Sequence, residues 1–297
     1  MNKIIEFLDS QKIEYMNDVS MKKYTSFKIG GNAEFMCIVK NSMELSLLVK
    51  FLKSCNIKPF ILGNGSNLIV RDSGIKGVVI KLEGDFEKIT SYGSKITAGA
   101  GATLNSLCRY ALNNSLTGLE FAFGIPGTVG GAVYMNAGAY GGQMSDVTVK
   151  VNHIRSDGSL GFYESDELDF GYRHSVYSDK DMIITSVEME LKKGEAEVIS
   201  EAMNDFWQRR KDKQPLNFPS AGSVFKRPEG YFAGALIEQS GLKGYSVGGA
   251  QVSEKHAGFI INKDNATCDD VLSLVQHCQN TVKEKFGVEL ECEIKLI

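Results

Sequence analysis

The chain has 297 residues, more than a usual single domain, so two or three packed units with sizeable cores are expected. Hydrophobic residues at 43% and charged residues at 23% are ordinary for a soluble globular protein. A formal net charge of -3, with no long basic run, excludes attraction of nucleic acid or a membrane surface by the bulk field.

The N-terminus opens amphipathically through Ile4, Ile5, Phe7 and Leu8 but carries acidic residues where a signal peptide keeps an apolar stretch. No window approaches the ~18 consecutive apolar residues of a spanning helix, so a cytoplasmic, membrane-free protein is expected. Asn41 with Glu44 resembles a capping box, and Leu45, Leu48, Val49 and Leu52 then recur at helical spacing. Short apolar runs at Phe60 to Leu62, Leu68 to Val70 and Val78 to Leu82, each bounded by Gly, Asn or Asp, read as strands. Leu104, Leu107 and Ala111 mark a second helix. Ile183, Thr185, Val187, Met189 and Leu191 alternate as in a half-buried strand, and the chain between that helix and that strand reads as strand-like and glycine-rich. Near residue 195 the pattern changes. Val198, Ala202 and Phe206 form one helical stripe that ends in Arg209, Arg210 and Lys211 before Pro215. Thr267 and Asp270 form a second capping box ahead of Val271, Leu274, Val275, Cys278 and Val282, and Glu291 to Ile297 reads as a last strand. With no repeat and no low-complexity linker, the parts are expected to pack directly on one another.

Glycine, at 31 residues against 5 prolines, exceeds its usual share of roughly 7% and needs local reasons. The loop Gly63-Asn64-Gly65-Ser66-Asn67 lies between two strand-like runs; its glycines allow close backbone approach and Ser66 and Asn67 add donors. It reads as an anion cradle or, equally, as a plain strand-connecting turn. Leu68 stands where the third glycine of a dinucleotide fingerprint belongs, and Gly99 to Leu104 shares the defect. Denser still is Gly124 to Gly131, continuing through Asn136, Gly138 and Gly141, which reads as backbone amides for a pyrophosphate or as a glycine-rich corner needed only for packing. No Gly-Lys-Ser/Thr follows either loop.

Farther on, Tyr172-Arg173-His174-Ser175, Ala221 to Lys226 and Glu291 to Ile294 supply a fixed cation, a small hydroxyl and a carboxylate, a set suited to a carboxylate-bearing substrate. Taken singly, each is most simply a surface or turn residue. Ser223 lacks the second glycine of a serine-hydrolase elbow. His153, His174, His256 and His277 show no close metal pairing, and the six scattered cysteines offer no CxxC, so no metal is expected and the thiols read as core residues.

Taken together, and in this order, Tyr24 to Gly31, the two glycine-rich loops, Tyr172 to Ser175, Gly222 to Lys226 and Leu290 to Ile294 make the chain resemble the UDP-N-acetylenolpyruvoylglucosamine reductase family over nearly its whole length. The resemblance implies an α+β fold with a FAD-binding region of the vanillyl-alcohol-oxidase type, in two subdomains (residues 1–84 and 85–195), and an α+β substrate-binding domain (196–297). It implies non-covalent FAD, with Gly63, Asn64, Gly65, Ser66, Asn67, Gly127, Thr128, Gly130, Gly131, Asn136 and Gly138 around the flavin; no histidine stands in either loop for a covalent tether. It further implies NADPH as co-substrate, hydride delivery through the flavin to the vinyl carbon of UDP-N-acetylglucosamine enolpyruvate, and an enolate-like intermediate.

An enolpyruvyl double bond is electron-rich, so its carboxylate must be made to accept charge; Arg173 and Glu293 fit that need. Ser223 is similar to the family's proton donor, a role open to a hydroxyl because the enolate it meets is strongly basic. For the substrate diphosphate the candidates are Lys213, Lys226 and Arg227, then Tyr231 and His256. Arg227 departs from the asparagine of the longer enzymes, and the short stretch between Arg173 and residue 197 leaves no room for an extra lid segment. The alternatives are an alcohol or sugar oxidase of the same fold, which need not have the arginine, serine and glutamate, and a non-catalytic flavin or nucleotide-sugar binder. No protein partner is implied, and monomer or dimer stays open.

Overall fold

The computed structural model describes residues 2–297. Its contacts divide into two compact units, each assembled from separated stretches of chain: the first from residues up to Asn17, Phe35–Gly63 and Gly77–Arg209, the second from Asp18–Glu34, Asn64–Lys76 and Arg210–Ile297.

In the first unit, α1 (Asn2–Gln11) buries Ile4 and Leu8 and stacks Phe7 on Phe51, ring centroids 4.0 Å apart. The helix α2 (Ser42–Ser54) buries Leu45, Leu48, Val49 and Leu52, as its spacing requires. Its cap is a variant of the expected box: the Asn41 side chain accepts the Glu44 amide at 3.0 Å, while the Glu44 carboxylate reaches back to the amide of Lys40 at 2.8 Å, one residue before the cap. A four-stranded sheet, with most of its residues in this unit, runs in the order Glu14–Ser20, Asn32–Val39, Ile75–Leu82, Phe60–Leu62. A five-stranded antiparallel sheet runs Leu160–Glu164, Thr148–Arg155, Met182–Glu190, Lys95–Gly99, Ile89–Tyr92. In it Val187 faces Val151 on one side and Ala98 on the other, and all three are fully buried.

Thr103 caps α3 (Leu104–Asn113) by accepting the Ser106 amide. The glycine-rich stretch beyond it is not wholly strand-like. Val129–Tyr134 forms a short helix, α4, because the Thr128 side chain accepts the Gly131 amide at 3.3 Å and Val129, Ala132 and Val133 are buried along its length. The helix expected near residue 197 is α5 (Ala196–Lys213), but its buried apolar positions are Ile199 and Met203, while Val198 of the expected stripe is exposed.

The second unit has an antiparallel sheet in the order Ser220–Ser223, Phe259–Asn262, Ala250–Val252, Ser246–Val247, with α6 (Ala233–Gln239) and α7 (Cys268–Phe286). Both halves of the Thr267/Asp270 box form, and Asp72 adds its two carboxylate oxygens to the Cys268 amide, at 3.1 and 2.9 Å, where the helix dipole favours an anion. Gly287 closes α7 in the left-handed conformation. Phe27, Ile29 and Ile69 share one apolar cluster with Val224, Val271 and Leu274, each such side chain contributing about 1.5–3 kcal/mol when fully buried. The closing stretch is only a fragment of the expected strand. It changes partner as it goes: Cys292 bridges to Phe225, then Lys295–Leu296 pairs in parallel with Leu68–Ile69. Among the described residues no helix is long and apolar enough to cross a membrane.

Candidate active site

The first unit brings together Gly63, the Gly127–Gly131 segment, Asn136, Gly138 and Arg173. The amides of Val129 and Gly130 donate to the carbonyls of Ala102 and Ala100 at 2.8 and 2.9 Å, pinning the start of α4 to the end of the neighbouring strand. Close approach explains two glycines: a Cβ on Gly63 would lie 2.7 Å from Thr128 Oγ1, and one on Gly130 2.8 Å from the Cβ of Ala100.

Beyond α4 the chain makes a left-handed step at Asn136 (φ +40°), whose side chain is 2% exposed. Its Oδ1 accepts the Ser145 amide at 3.0 Å, and its Nδ2 donates to the Gly171 carbonyl at 3.0 Å and to Gln143 Oε1 at 3.4 Å. Gly171 and His174 exchange backbone hydrogen bonds at 3.1 and 3.3 Å, leaving Tyr172 and Arg173 at the tip of a two-residue turn. Arg173 itself is left-handed (φ +55°), and its Nη2 donates to the Gly138 carbonyl at 3.5 Å. On the far side of the turn the buried Ser175 donates through Oγ to the Tyr134 carbonyl at 2.9 Å. The arginine predicted from sequence is thus held from both flanks, by Asn136 and by Ser175. The resemblance sets Asn136 beside the flavin; its side-chain amide donors are both engaged by protein groups.

The second unit brings together the Gly65–Asn67 loop, Ser223, Lys226, His256 and Glu293. Gly65 is left-handed (φ +59°), and a Cβ there would meet the Tyr24 carbonyl oxygen at 2.3 Å, which ties the loop to the Tyr24-Thr25-Ser26 segment. The Ser26 amide donates to the Gly65 carbonyl, and Asn67 Nδ2 donates to the Glu293 carbonyl at 3.3 Å. A left-handed glycine followed by small polar residues is the geometry that turns successive amides toward an anion, so the loop fits the pyrophosphate of a flavin dinucleotide.

Ser223 and Glu293 stand on adjacent segments. The Glu293 amide donates to the Val224 carbonyl at 2.8 Å, the Val224 amide to the Gly258 carbonyl at 2.9 Å, and the Gly258 amide to His256 Nδ1 at 3.1 Å. That acceptor assigns the His256 proton to Nε2. Burial, aided by nearby Lys243 and Lys213, holds the imidazole below its ordinary range and so neutral. A Cβ on Gly258 would lie 3.0 Å from His256 Cε1 and 3.5 Å from Ser223 Oγ, so only a methyl-sized space separates ring and hydroxyl. Ser223 Oγ donates to the Phe225 carbonyl at 3.3 Å.

The diphosphate candidates fare unevenly. Lys226 is ion-paired with Glu291, so an incoming anion competes with a carboxylate for it. Arg227 stacks its guanidinium over Phe232, 4.0 Å from the ring centroid. Lys213 and Tyr231 are exposed, one at the end of α5 and the other in the turn where its amide meets the Pro228 carbonyl. His256 serves the backbone beside Ser223. Sequence reasoning missed Gly258 and Ser253, whose hydroxyl accepts the amides of Lys255 and His256; the Ser-x-x-His-x-Gly spacing was the available signal.

Comparison with known proteins shows the family. Residues 33–161 match the FAD binding domain, and residues 214–297 match the UDP-N-acetylenolpyruvoylglucosamine reductase C-terminal domain. A UDP-N-acetylenolpyruvoylglucosamine reductase of Caldanaerobacter subterraneus subsp. tengcongensis is 50% identical over 100% of this chain and 97% of its own. One from Alkaliphilus oremlandii is 49% identical over 94% of this chain and 92% of its own. The crystal structure of the UDP-N-acetylenolpyruvylglucosamine reductase of Thermus caldophilus superposes with a TM-score of 0.81 at 38% identity, covering 96% of this chain and 98% of that one. An Acremonium strictum glucooligosaccharide oxidase, at 12% identity and a TM-score of 0.50, shares the fold alone. With half its residues matched along its entire length, the α+β chain belongs to the UDP-N-acetylenolpyruvoylglucosamine reductase family.

Proposed function

We propose that Arg173, Ser223 and Glu293 carry the chemistry of this FAD-dependent oxidoreductase, which uses NADPH to reduce UDP-N-acetylglucosamine enolpyruvate to UDP-N-acetylmuramate for peptidoglycan. FAD, when bound, would supply the hydride chemistry between NADPH and the vinyl carbon. Arg173, permanently charged and forked, neutralises the substrate carboxylate as the double bond takes up negative charge. Ser223 gives its proton to the neighbouring carbon of the resulting enolate, and Glu293 stabilises the charge or resupplies that proton. The observation that carries this reading is the Glu293–Val224 hydrogen bond, which sets the carboxylate-bearing and hydroxyl-bearing segments side by side.

We assign flavin binding to residues 1–84 and 85–195, with Gly63 to Asn67, Gly127, Thr128, Gly130, Gly131, Gly138 and the backbone of Asn136 around the cofactor. Residues 196–297 take the substrate, with Lys226 released from Glu291 to meet the diphosphate and Lys213, Arg227 and Tyr231 assisting. FAD is held without a covalent bond, the cytoplasm, where nucleotide sugars and NADPH meet, is the compartment, and no protein partner is needed. The test is anaerobic flavin absorbance: protein reduced with NADPH and mixed with the enolpyruvyl substrate regains its oxidised spectrum, and Ser223→Ala stalls at that step. Reoxidation by oxygen alone would turn the assignment to an oxidase.

A further inference from the structure

The Arg173 turn has no regular sheet of its own to hold it, since Gly171 and His174 bridge only to each other. Two residues following the C-terminal end of α4 nevertheless carry it within hydrogen-bond reach of a buried amide. Asn136 is one of the few polar side chains of the first unit that are almost wholly buried, and both of its donors and its carbonyl oxygen have protein partners: Gly171 before the turn, Gln143, and Ser145. Burying an amide without such partners costs about 1–3 kcal/mol, so the site is stable only with the turn in place. The guanidinium, in turn, reaches back to the Gly138 carbonyl, two residues beyond Asn136. Asn136 therefore anchors the segment that leaves α4 and the segment that presents the arginine.

We propose that Asn136 is a positioning residue for Arg173: its amide docks the two-residue turn at Gly171 and so aims the guanidinium at the substrate carboxylate. The proposal rests on the charge-neutralising role of Arg173. It separates the Asn136 side chain, not its backbone, from the flavin contacts, because that side chain has no donor left for a cofactor.

Asn136→Asp is the discriminating variant. It keeps an oxygen to accept the Ser145 amide but sets a carboxylate against the Gly171 carbonyl, where the native amide donates. When that carboxyl is protonated, the donor to Gly171 returns. In anaerobic stopped flow, the loss is expected mainly in flavin reoxidation by the enolpyruvyl substrate, on the order of a hundredfold for a guanidinium displaced by about 1 Å. Flavin reduction by NADPH suffers far less. Lowering the pH restores part of the reoxidation rate in the variant and not in the wild type. Asn136→Ser, which has neither partner's reach nor a titrating group, gives the same split without the pH relief and serves if the aspartate variant does not fold. Combining either variant with Arg173→Ala costs no more than Arg173→Ala alone. Equal loss in both half-reactions, or loss of flavin, would overturn the positioning role in favour of a scaffold or cofactor role, and an unchanged reoxidation rate would overturn it outright. If Arg173→Ala itself reoxidises at the wild-type rate, it is the reading of the arginine that fails.

Discussion

The two groups of candidate residues, one in each unit, are built differently. In the first unit, Arg173 sits on a left-handed turn that side chains hold down: Asn136 before it and Ser175 after it. In the second unit, Ser223 and Glu293 are aligned by main-chain hydrogen bonds running from Glu293 through Val224 and Gly258 to His256, where the one side-chain acceptor stands at the end of the row. A site held by side chains is vulnerable to truncation. One held by backbone is vulnerable to added volume.

Deleting either reacting group does not depend on how it is held, so Ser223→Ala is expected to show the largest effect, about a thousandfold in the rate of flavin reoxidation, with flavin content unchanged. Smaller in energy is a pH effect confined to the first unit. His153 is fully buried, and burial, with the charges of Arg155 and Lys180, lowers its pKa to about 4 from its ordinary 6.5. The unfolded chain takes up this proton near pH 6.5 and the folded one only near 4, so stability falls as pH drops through that window. The loss approaches about 3 kcal/mol. Urea unfolding at pH 7 and pH 4.5 measures it, and His153→Asn should flatten the slope.

Truncating a tether sharpens the contrast. Ser175→Ala removes a buried hydrogen bond to Tyr134 and should cost about 1–2 kcal/mol of stability and several-fold in turnover. Truncating Val224 to Ala, by contrast, leaves the backbone row intact and should spare the rate of flavin reoxidation. Gly258→Ala probes the other side: its methyl would press on His256 at 3.0 Å, and the expected result is roughly tenfold slower reoxidation with little loss of stability. If Gly258→Ala were silent and Ser175→Ala crippling, the comparison would stand on its first half only. The smallest effect belongs to exposed ion pairs such as Lys40 with Glu14, where Glu14→Gln should change the unfolding free energy by under about 0.5 kcal/mol.

Local signals were legible where local physics decides. The Thr267/Asp270 box, the stripe of α2 and the alternation through Val187 all hold, because capping and periodicity are properties of a few consecutive residues. Gly127 to Tyr134 misled, since glycine's low helix propensity was outweighed by the Thr128 cap and the burial of Val129, Ala132 and Val133. The candidate residues stand in motifs, but most of the contacts that hold them do not. That Asn136 meets Gly171, thirty-five residues on, or that the Val224 amide meets the Gly258 carbonyl, thirty-four residues on, depends on contacts that no short window contains.

The short helix α4 joins two of these supports and so acts as a spacer of fixed length. At its entrance Thr128 lies against Gly63; at its exit the Tyr134 carbonyl receives Ser175, and Asn136 follows two residues later. Six residues at 1.5 Å each separate the ends by about 9 Å. Inserting a single residue would lengthen it by about 1.5 Å and swing its exit by about 100°, leaving both ends capped yet the arginine pointing elsewhere. The length of this helix is therefore a gauge within the first unit, and loops outside it can grow or shrink at far less cost to the reaction than α4 can.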